Sequence, residues 1–400
     1  MSRLVTPPLS LYLHFPWCVR KCPYCDFNSY TLHGGLEENR YLEALEQDIE
    51  SQSAQVAGRE VISIFMGGGT PSLFSPSAIA RVLAATRRYL AVAADVEVTM
   101  EANPGTIERG RFAEYRAAGV NRVSLGAQSF DAQRLLTLGR IHSPDETRRA
   151  AEELHAAGLA NFNLDLMYAL PGQDVAAALT DVEAAIALAP TQLSHYQLTL
   201  EPGTVFAAQP PPDLPGDDTA AEILAVCGNR LAEAGFAQYE VSGYAQTGRQ
   251  CRHNLNYWTF GDYLGVGAGA HGKLTFPGSG SIVRTTQARE PRRYLAAPAA
   301  LTRKNVPAAD LPFEFMLNAL RLVAGFEVET FVQRTGLDWN VIAPQVESLI
   351  ARQLLAVQGT RLLTTLVGLR FLNDLLLSFL ELRPPETPQT TGAFGLSTAV

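Results

Sequence analysis

The sequence is poor in the features that mark several large classes of protein. It has no long basic run, and its 32 Lys and Arg are outnumbered by 40 Asp and Glu, for a net charge of −8. A chain of that sign repels a phosphate backbone, which argues against general nucleic-acid binding. The opening MSRLVTPPLS lacks the apolar core of a signal peptide. The most apolar late stretch, 362–380, is interrupted by Arg370, Asn373 and Asp374, so it reads as a packed helix and not as a membrane span. Five cysteines, three of them clustered, make no disulfide framework. Free or metal-bound thiols imply a reducing compartment. The expectation is a cytoplasmic protein, with room left for transient membrane association.

What is present is a large soluble chain. Its 400 residues are 47% hydrophobic and 18% charged, enough for two or three structural units. Short apolar runs at 9–14, 61–66, 96–101, 122–125, 161–167 and 193–200 alternate with helical patterns, and many turns carry Gly or Pro. Ser75-Pro76 and the capping box Ser143-Pro144-Asp145-Glu146 open two of the helices, and a third is expected over 109–118. Six such β/α units demand a parallel sheet with right-handed crossovers. That is α/β architecture, either a partial (β/α)6 barrel or a doubly wound open sheet. The predicted divisions are a barrel over 1–206 and a mixed accessory region over 207–305. A small helical domain over 306–382 follows, then a disordered tail over 383–400. Two short strands near 355–357 and 361–364 would make the helical domain winged-helix-like. It is read as a packing domain and not as a DNA reader.

The densest chemistry lies in His14-Phe15-Pro16-Trp17-Cys18-Val19-Arg20-Lys21-Cys22-Pro23-Tyr24-Cys25-Asp26-Phe27, where three cysteines are spaced C-x3-C-x2-C. Thiolates are soft donors for iron–sulfur clusters and zinc. A four-iron cluster takes one cysteine per iron, so three would leave one iron open to an outside ligand. Zinc held by the three cysteines and His14 is the rival reading, and purely structural thiols are a third. Gly67-Gly68-Gly69-Thr70, Glu101, Gln128 and Asp165 all fall at or just after predicted strand ends. In β/α barrels those ends form the active face, and the cysteine loop belongs to the same face. Glycines there let backbone approach a ligand, or simply make a tight turn.

Further on stands His253-Asn254-Leu255-Asn256-Tyr257-Trp258. An imidazole among aromatic rings can serve as an axial ligand of haem iron, but the residues alone favour a histidine that holds a loop by hydrogen bonds. Cys251 is either an inert thiol or a haem thiolate. Arg249, Arg252 and Lys273 are candidates for haem propionates on charge alone. His271 lies in a glycine-rich segment and is read as structural or as part of a substrate lining.

The cysteine loop at the end of a first strand resembles the radical S-adenosylmethionine (radical SAM) superfamily. Within it, the words HFPWC, CPYCDFNS and HNxxYW are similar to haem chaperones of the HemW family, relatives of oxygen-independent coproporphyrinogen III dehydrogenase. The resemblance covers roughly residues 9–380. It implies a partial (β/α)6 barrel in which Cys18, Cys22 and Cys25 hold a [4Fe–4S] cluster whose open iron binds SAM. It further implies that Tyr12, Tyr24, Gly68, Gly69, Thr70, Glu101, Gln128, Arg140 and Asp165 contact one or two molecules of SAM. Haem would be cargo, with His253 as its ligand, for an acceptor haemoprotein that the sequence does not identify; nor does it identify an electron donor. The alternative is the dehydrogenase itself, which decarboxylates coproporphyrinogen III oxidatively. That enzyme usually carries a fourth cysteine where this chain has Phe27, and a longer stretch than the 17 residues that precede Cys18 here.

Overall fold

A computed structural model describes residues 4–105 and 111–380. The tail expected at 383–400, and the first residues of the helix expected from 109, lie outside the described residues.

The first strand, β1 (Leu9–Phe15), is buried at every position but the half-buried Tyr12. Such a run suits a strand covered on both faces. β2 (Glu60–Gly68), β3 (Ala91–Ala102), β4 (Arg122–Gln128), β5 (Phe162–Tyr168) and β6 (Gln192–Gln197) follow, each parallel to its predecessor. Between them cross α1 (Glu38–Ser53), α2 (Pro76–Tyr89), α3 (Phe112–Ala118), α4 (Pro144–Ala156) and α5 (Val175–Ala187). The six strands lie side by side in chain order. A doubly wound sheet would start in the middle and reverse, so the architecture is the partial barrel. Local chemistry explains where the helices begin. Ser75 Oγ accepts from Ala78 N at 3.1 Å with Pro76 at the first helical position, and Ser143 and Glu146 form the expected capping box. Each cap contributes about 1 kcal/mol.

After α6 (Asp217–Glu233), the accessory stretch extends the same sheet at both ends. β7 (Ala237–Gln238) and β8 (Gly243–Ala245) add antiparallel beyond β6. β9 (Asp262–Val266) pairs parallel with β1, so the parallel run has seven strands where the alternation counted six. β10 (His271–Phe276), β11 (Ser281–Thr286) and β12 (Thr302–Asn305) continue it antiparallel. The short helix α7 (Arg252–Trp258) runs across the floor of the barrel, where Asn256 Nδ2 donates to Ser10 Oγ at 2.8 Å and to Asp262 O at 2.9 Å.

Beyond residue 306, α8 (Leu311–Ala319), α9 (Val328–Thr335) and α10 (Ala343–Ala351) surround a core that includes Phe315, Phe326, Phe331 and Phe379. A hairpin of β14 (Leu355–Gln358) and β15 (Arg361–Thr364), flanked by β13 (Phe326–Glu327), supplies the wing that the sequence suggested. The packed helix expected within 362–380 is two helices, Leu366–Arg370 and Leu372–Leu380, because Phe371 leaves helical geometry at ψ 35°. Among the described residues, no helix is long and apolar enough to cross a membrane.

Candidate functional site

The loop that follows β1 carries Cys18, Cys22 and Cys25, all half-buried and none in a disulfide. Contacts from four parts of the chain hold it. Thr70 N donates to Trp17 O at 2.8 Å, and Gly69 N to Phe15 O at 2.7 Å. Phe206 N donates to Pro23 O at 3.0 Å. Lys21 Nζ closes the loop on Phe27 O and Ser29 O, each at 3.0 Å. Asn28 Nδ2 donates to Ala268 O and Arg289 O, each at 3.0 Å. The glycines after β2 serve this packing. A Cβ on Gly69 would stand 2.5 Å from Trp17 O, and one on Gly68, at φ +108°, would stand 2.3 Å from the His14 ring. Two of the segment's N–H groups are used by Phe15 O and by Glu101 Oε2, the latter at 3.1 Å from Gly68 N.

His14 is not placed to serve as the fourth zinc ligand of the rival reading. Burial lowers its pKa to about 4, so the ring is neutral. Its Nε2 donates to Asn28 O at 2.9 Å, which leaves Nδ1 to accept from Tyr12 OH at 2.7 Å. Both ring nitrogens are taken, so His14 offers no lone pair to zinc. Among the described residues, the loop sulfurs, alone or with His14, do not gather within 4.8 Å of one another. A single tetrahedral ion needs its ligand atoms closer than that, whereas a cluster with one cysteine per iron spreads them. The donor set fits the cluster. Burial raises the thiols of Cys18 and Cys25, which Thr70 and Ser29 partly offset, and the Arg140 guanidinium reaches Cys22 Sγ at 3.9 Å.

Below the loop the lumen is polar. Asp165 accepts from Ser124 Oγ at 3.0 Å and Asn163 Nδ2 at 2.8 Å. Glu101 faces it from β3, and burial, with the repulsion of Asp165, pushes Glu101 up to about 8. Burial raises Asp165 as well. Two carboxyls that resist ionising together form a site ready for hydroxyl and ammonium donors. Arg140 Nη2 donates to Asn103 Oδ1 at 2.5 Å and Gly126 O at 2.8 Å, and Asn103 Nδ2 in turn donates to Thr70 Oγ1 at 3.1 Å. Gln128 ends β4 at φ +65°, and its Oε1 accepts from Tyr196 OH at 2.6 Å. Tyr24 packs its ring 6.4 Å from that of Phe206. The structure therefore brings Tyr12, Tyr24, Gly68, Gly69, Thr70, Glu101, Gln128, Arg140 and Asp165 to one mouth with the three cysteines.

Asn28, Asn103, Ser124, Asn163 and Tyr196 belong to that mouth and went unnoticed in the sequence. Period-two reading of 192–197 would have found Tyr196, since Leu193 and His195 are buried between the lumen-facing Gln192, Ser194 and Tyr196.

His253 stands apart from the mouth. It is 4% exposed on the barrel floor, with its ring stacked on Phe65 at 4.3 Å and its Nδ1 3.2 Å from Glu97 Oε1. Lys273 is 1% exposed and ion-paired to Asp262 at 2.8 Å, so it is not free for a propionate. Arg252 pairs with Asp95 at 2.9 Å. Arg249 and His271 lie exposed.

A partial barrel whose open mouth is edged by such a cysteine loop defines a radical SAM protein, and residues 12–184 match the Radical SAM superfamily. Residues 306–371 match the HemN C-terminal domain. Over 374 residues the chain is 50% identical to "Heme chaperone HemW" of Escherichia coli (strain K12), covering 94% of this chain and 98% of the relative. The protein of the same name from Haemophilus influenzae is 45% identical over 378 residues, with 94% and 98% covered. The mouse protein "Radical S-adenosyl methionine domain-containing protein 1, mitochondrial" is 37% identical, with 93% and 87% covered. The chain belongs to the HemW family. Coproporphyrinogen III oxidase (HemN) from Escherichia coli shares its fold at a TM-score of 0.78 and 24% identity, covering 94% of this chain and 90% of that one.

Proposed function

We propose that the protein is a haem chaperone, binding a [4Fe–4S] cluster, SAM and haem, and passing haem to acceptor haemoproteins. The observation that carries this reading is similarity along 94% of the chain to proteins bearing that name. Cys18, Cys22 and Cys25 would hold the cluster, which when bound supplies an electron to SAM. Arg140, held by Asn103 and Gly126, would set its positive charge beside the SAM carboxylate, and Glu101 and Asp165 would accept from ribose hydroxyls and the ammonium group. Tyr12 and Gln128 line the lumen, while Tyr24, Gly68, Gly69 and Thr70 fix the loop over it. His253 is the candidate axial ligand of haem. With Phe65 on its face and Glu97 at its edge, it could reach a haem iron only once α7 leaves the floor.

The test is an anaerobic titration of cluster-loaded protein with haemin, followed by mixing with an apo-haemoprotein. Stoichiometric binding and transfer are expected, and a chain that binds no haem sinks the reading. Many turnovers of coproporphyrinogen III with SAM and a reductant would instead make the protein a dehydrogenase.

A further inference from the structure

The word HNxxYW ends in Tyr257 and Trp258, the last two residues of α7, and a role for His253 leaves both unexplained. They border a cavity of about 40 Å³ where α7 meets β9, β10, β11 and α8. Tyr263, Lys273, Arg284 and Asn318 make up much of the remaining wall. Tyr257 is 6% and Trp258 7% exposed, yet Tyr257 OH and Trp258 Nε1 have no hydrogen-bond partner. A buried donor left unpaired is costly, and the cavity is the free space on which both residues border. Other wall groups have donors to spare. Arg284 spends Nε and Nη2 on Glu314 Oε2, at 3.1 and 2.7 Å, and Nη1 on Tyr263 OH at 3.1 Å, which leaves further N–H groups of its fork unspent. Asn318 Nδ2 uses one hydrogen on Glu314 O at 2.7 Å and keeps its second.

The charge around the cavity favours an anion as well. Asp262 pairs with Lys273 at 2.8 Å and with Arg59 at 3.0 Å, and Glu314 pairs with Arg284 at 2.7 Å. The Arg334 charge also faces Asp262 and Lys273. Four cations thus share two carboxylates, and none of the described residues lining the cavity is acidic. Lys273 adds charge and no hydrogen bond, since its Nζ is spent on Phe260 O, Gly261 O and Asp262 Oδ1. Phe260, also in the wall, is held at φ +57°, a left-handed backbone rare for a bulky side chain, so the fold imposes the shape of the wall against local preference.

We propose that Tyr257, Trp258, Arg284 and Asn318 form a binding site for a single carboxylate group. A water molecule takes about 10–15 Å³ of such space, so the cavity accommodates about three heavy atoms, the size of a carboxylate. Neutral donors beside a guanidinium suit an anion with two acceptor oxygens. The half-buried Tyr263, Arg284 and Asn318 leave the cavity partly open. The carboxylate therefore belongs either to a small free acid or to one arm of a larger ligand, such as a haem propionate. The ligand touches α7 only at its last two residues, so the turn that carries His253 stays free to lift, with the far end of the helix as its hinge.

The experiment labels the cluster-loaded protein with 5-fluorotryptophan and follows its fluorine NMR spectrum during titration with sodium acetate, with sodium chloride titrated in parallel. The chain has three tryptophans, Trp17, Trp258 and Trp339, and Trp258→Phe identifies the resonance to follow. Acetate is expected to shift that resonance saturably and to leave the other two in place. Tyr257→Phe should weaken acetate about tenfold, the worth of a hydrogen bond to a charged group. Its iron, sulfide and melting temperature should stay those of the parent, because the lost hydroxyl has no partner within the protein. A second arm separates the two sources. A shift caused by haemin, competed by acetate and not produced by haemin dimethyl ester, assigns the carboxylate to a propionate; no shift with haemin assigns it to a free acid. A Trp258 resonance that ignores acetate, that moves equally with chloride, or that responds unchanged in Tyr257→Phe overturns the proposal. Acetate acts without haem, so a failure of the haem-chaperone reading would leave the site standing.

Discussion

Asn28 Nδ2 donates to Ala268 O at 3.0 Å, a bond between residues 240 positions apart. It joins the end of the cysteine loop to the turn after β9, where Gly269 has no room for a side chain because a Cβ would stand 2.1 Å from Asn28 Nδ2. Asn28→Ala removes this bond and the one to Arg289 O, a loss of about 1–2 kcal/mol confined to the loop. Iron should then leave to a chelator faster than from the parent, with little change in melting temperature. Equal rates of iron release would show that the tether is idle.

Each loop cysteine is expected to be indispensable for the cluster. Cys22→Ala should purify colourless, with iron and acid-labile sulfide near zero, and with a circular dichroism spectrum like that of the parent. Full iron content in this variant would rule out the assigned ligands.

Steric packing gives a different kind of forecast. Gly69→Ala drives a methyl group against Trp17 O at 2.5 Å and Phe15 O at 2.7 Å, both backbone atoms that cannot rotate away. Overpacking of this sort costs about 1–3 kcal/mol. The melting temperature and the cluster content should fall together. Gly35→Ala is the control, since nothing lies within 4 Å of its added Cβ, and it should melt like the parent.

SAM affinity should depend on pH through Glu101. Its carboxyl is raised from an ordinary 4.5 to about 8 by burial and by Asp165, so it holds a proton at neutral pH. A ligand that needs the anion must displace that proton. Affinity should therefore rise with pH, by up to about tenfold per unit below 8, and level off above it. Glu101→Gln should bind more weakly and flatten the profile between pH 6 and 8. The sign for folding is opposite. The folded chain keeps a proton that the unfolded chain releases, so this group's contribution to stability declines as pH rises from 4.5 toward about 8. Calorimetric titration with SAM across that range checks the first trend, and melting curves of parent and variant check the second.

Much of the mouth was legible because its parts are local in sequence. The cysteine spacing, the glycines after β2, and Glu101, Gln128 and Asp165 at strand ends needed only the alternation of strands and helices to fall on one face. Long-range pairing was not legible. Residues 262–266 read as one more short strand among glycines, and nothing local says that they add parallel to β1. The partner of His253 is Glu97, 156 positions away, and no periodicity links them. The meaning of Gly68 and Gly69 also changed, since both are required by His14 and Trp17 of the protein itself. The break at Phe371 was hidden because apolar residues continue at helical spacing on both sides of it.

The position of β9 bears on the order in which the chain can assemble. β1 is among the first segments to leave the ribosome, yet one of its two neighbours, β9, is made some 250 residues later. During synthesis the β1 edge and the cysteine loop above it are exposed, because Ala268 and Arg289, which anchor Asn28, do not yet exist. An unpaired, apolar strand edge invites mispairing. A cluster inserted before residues 262–289 are made would meet an untethered loop, and the tether forms only once the late strand has closed the sheet.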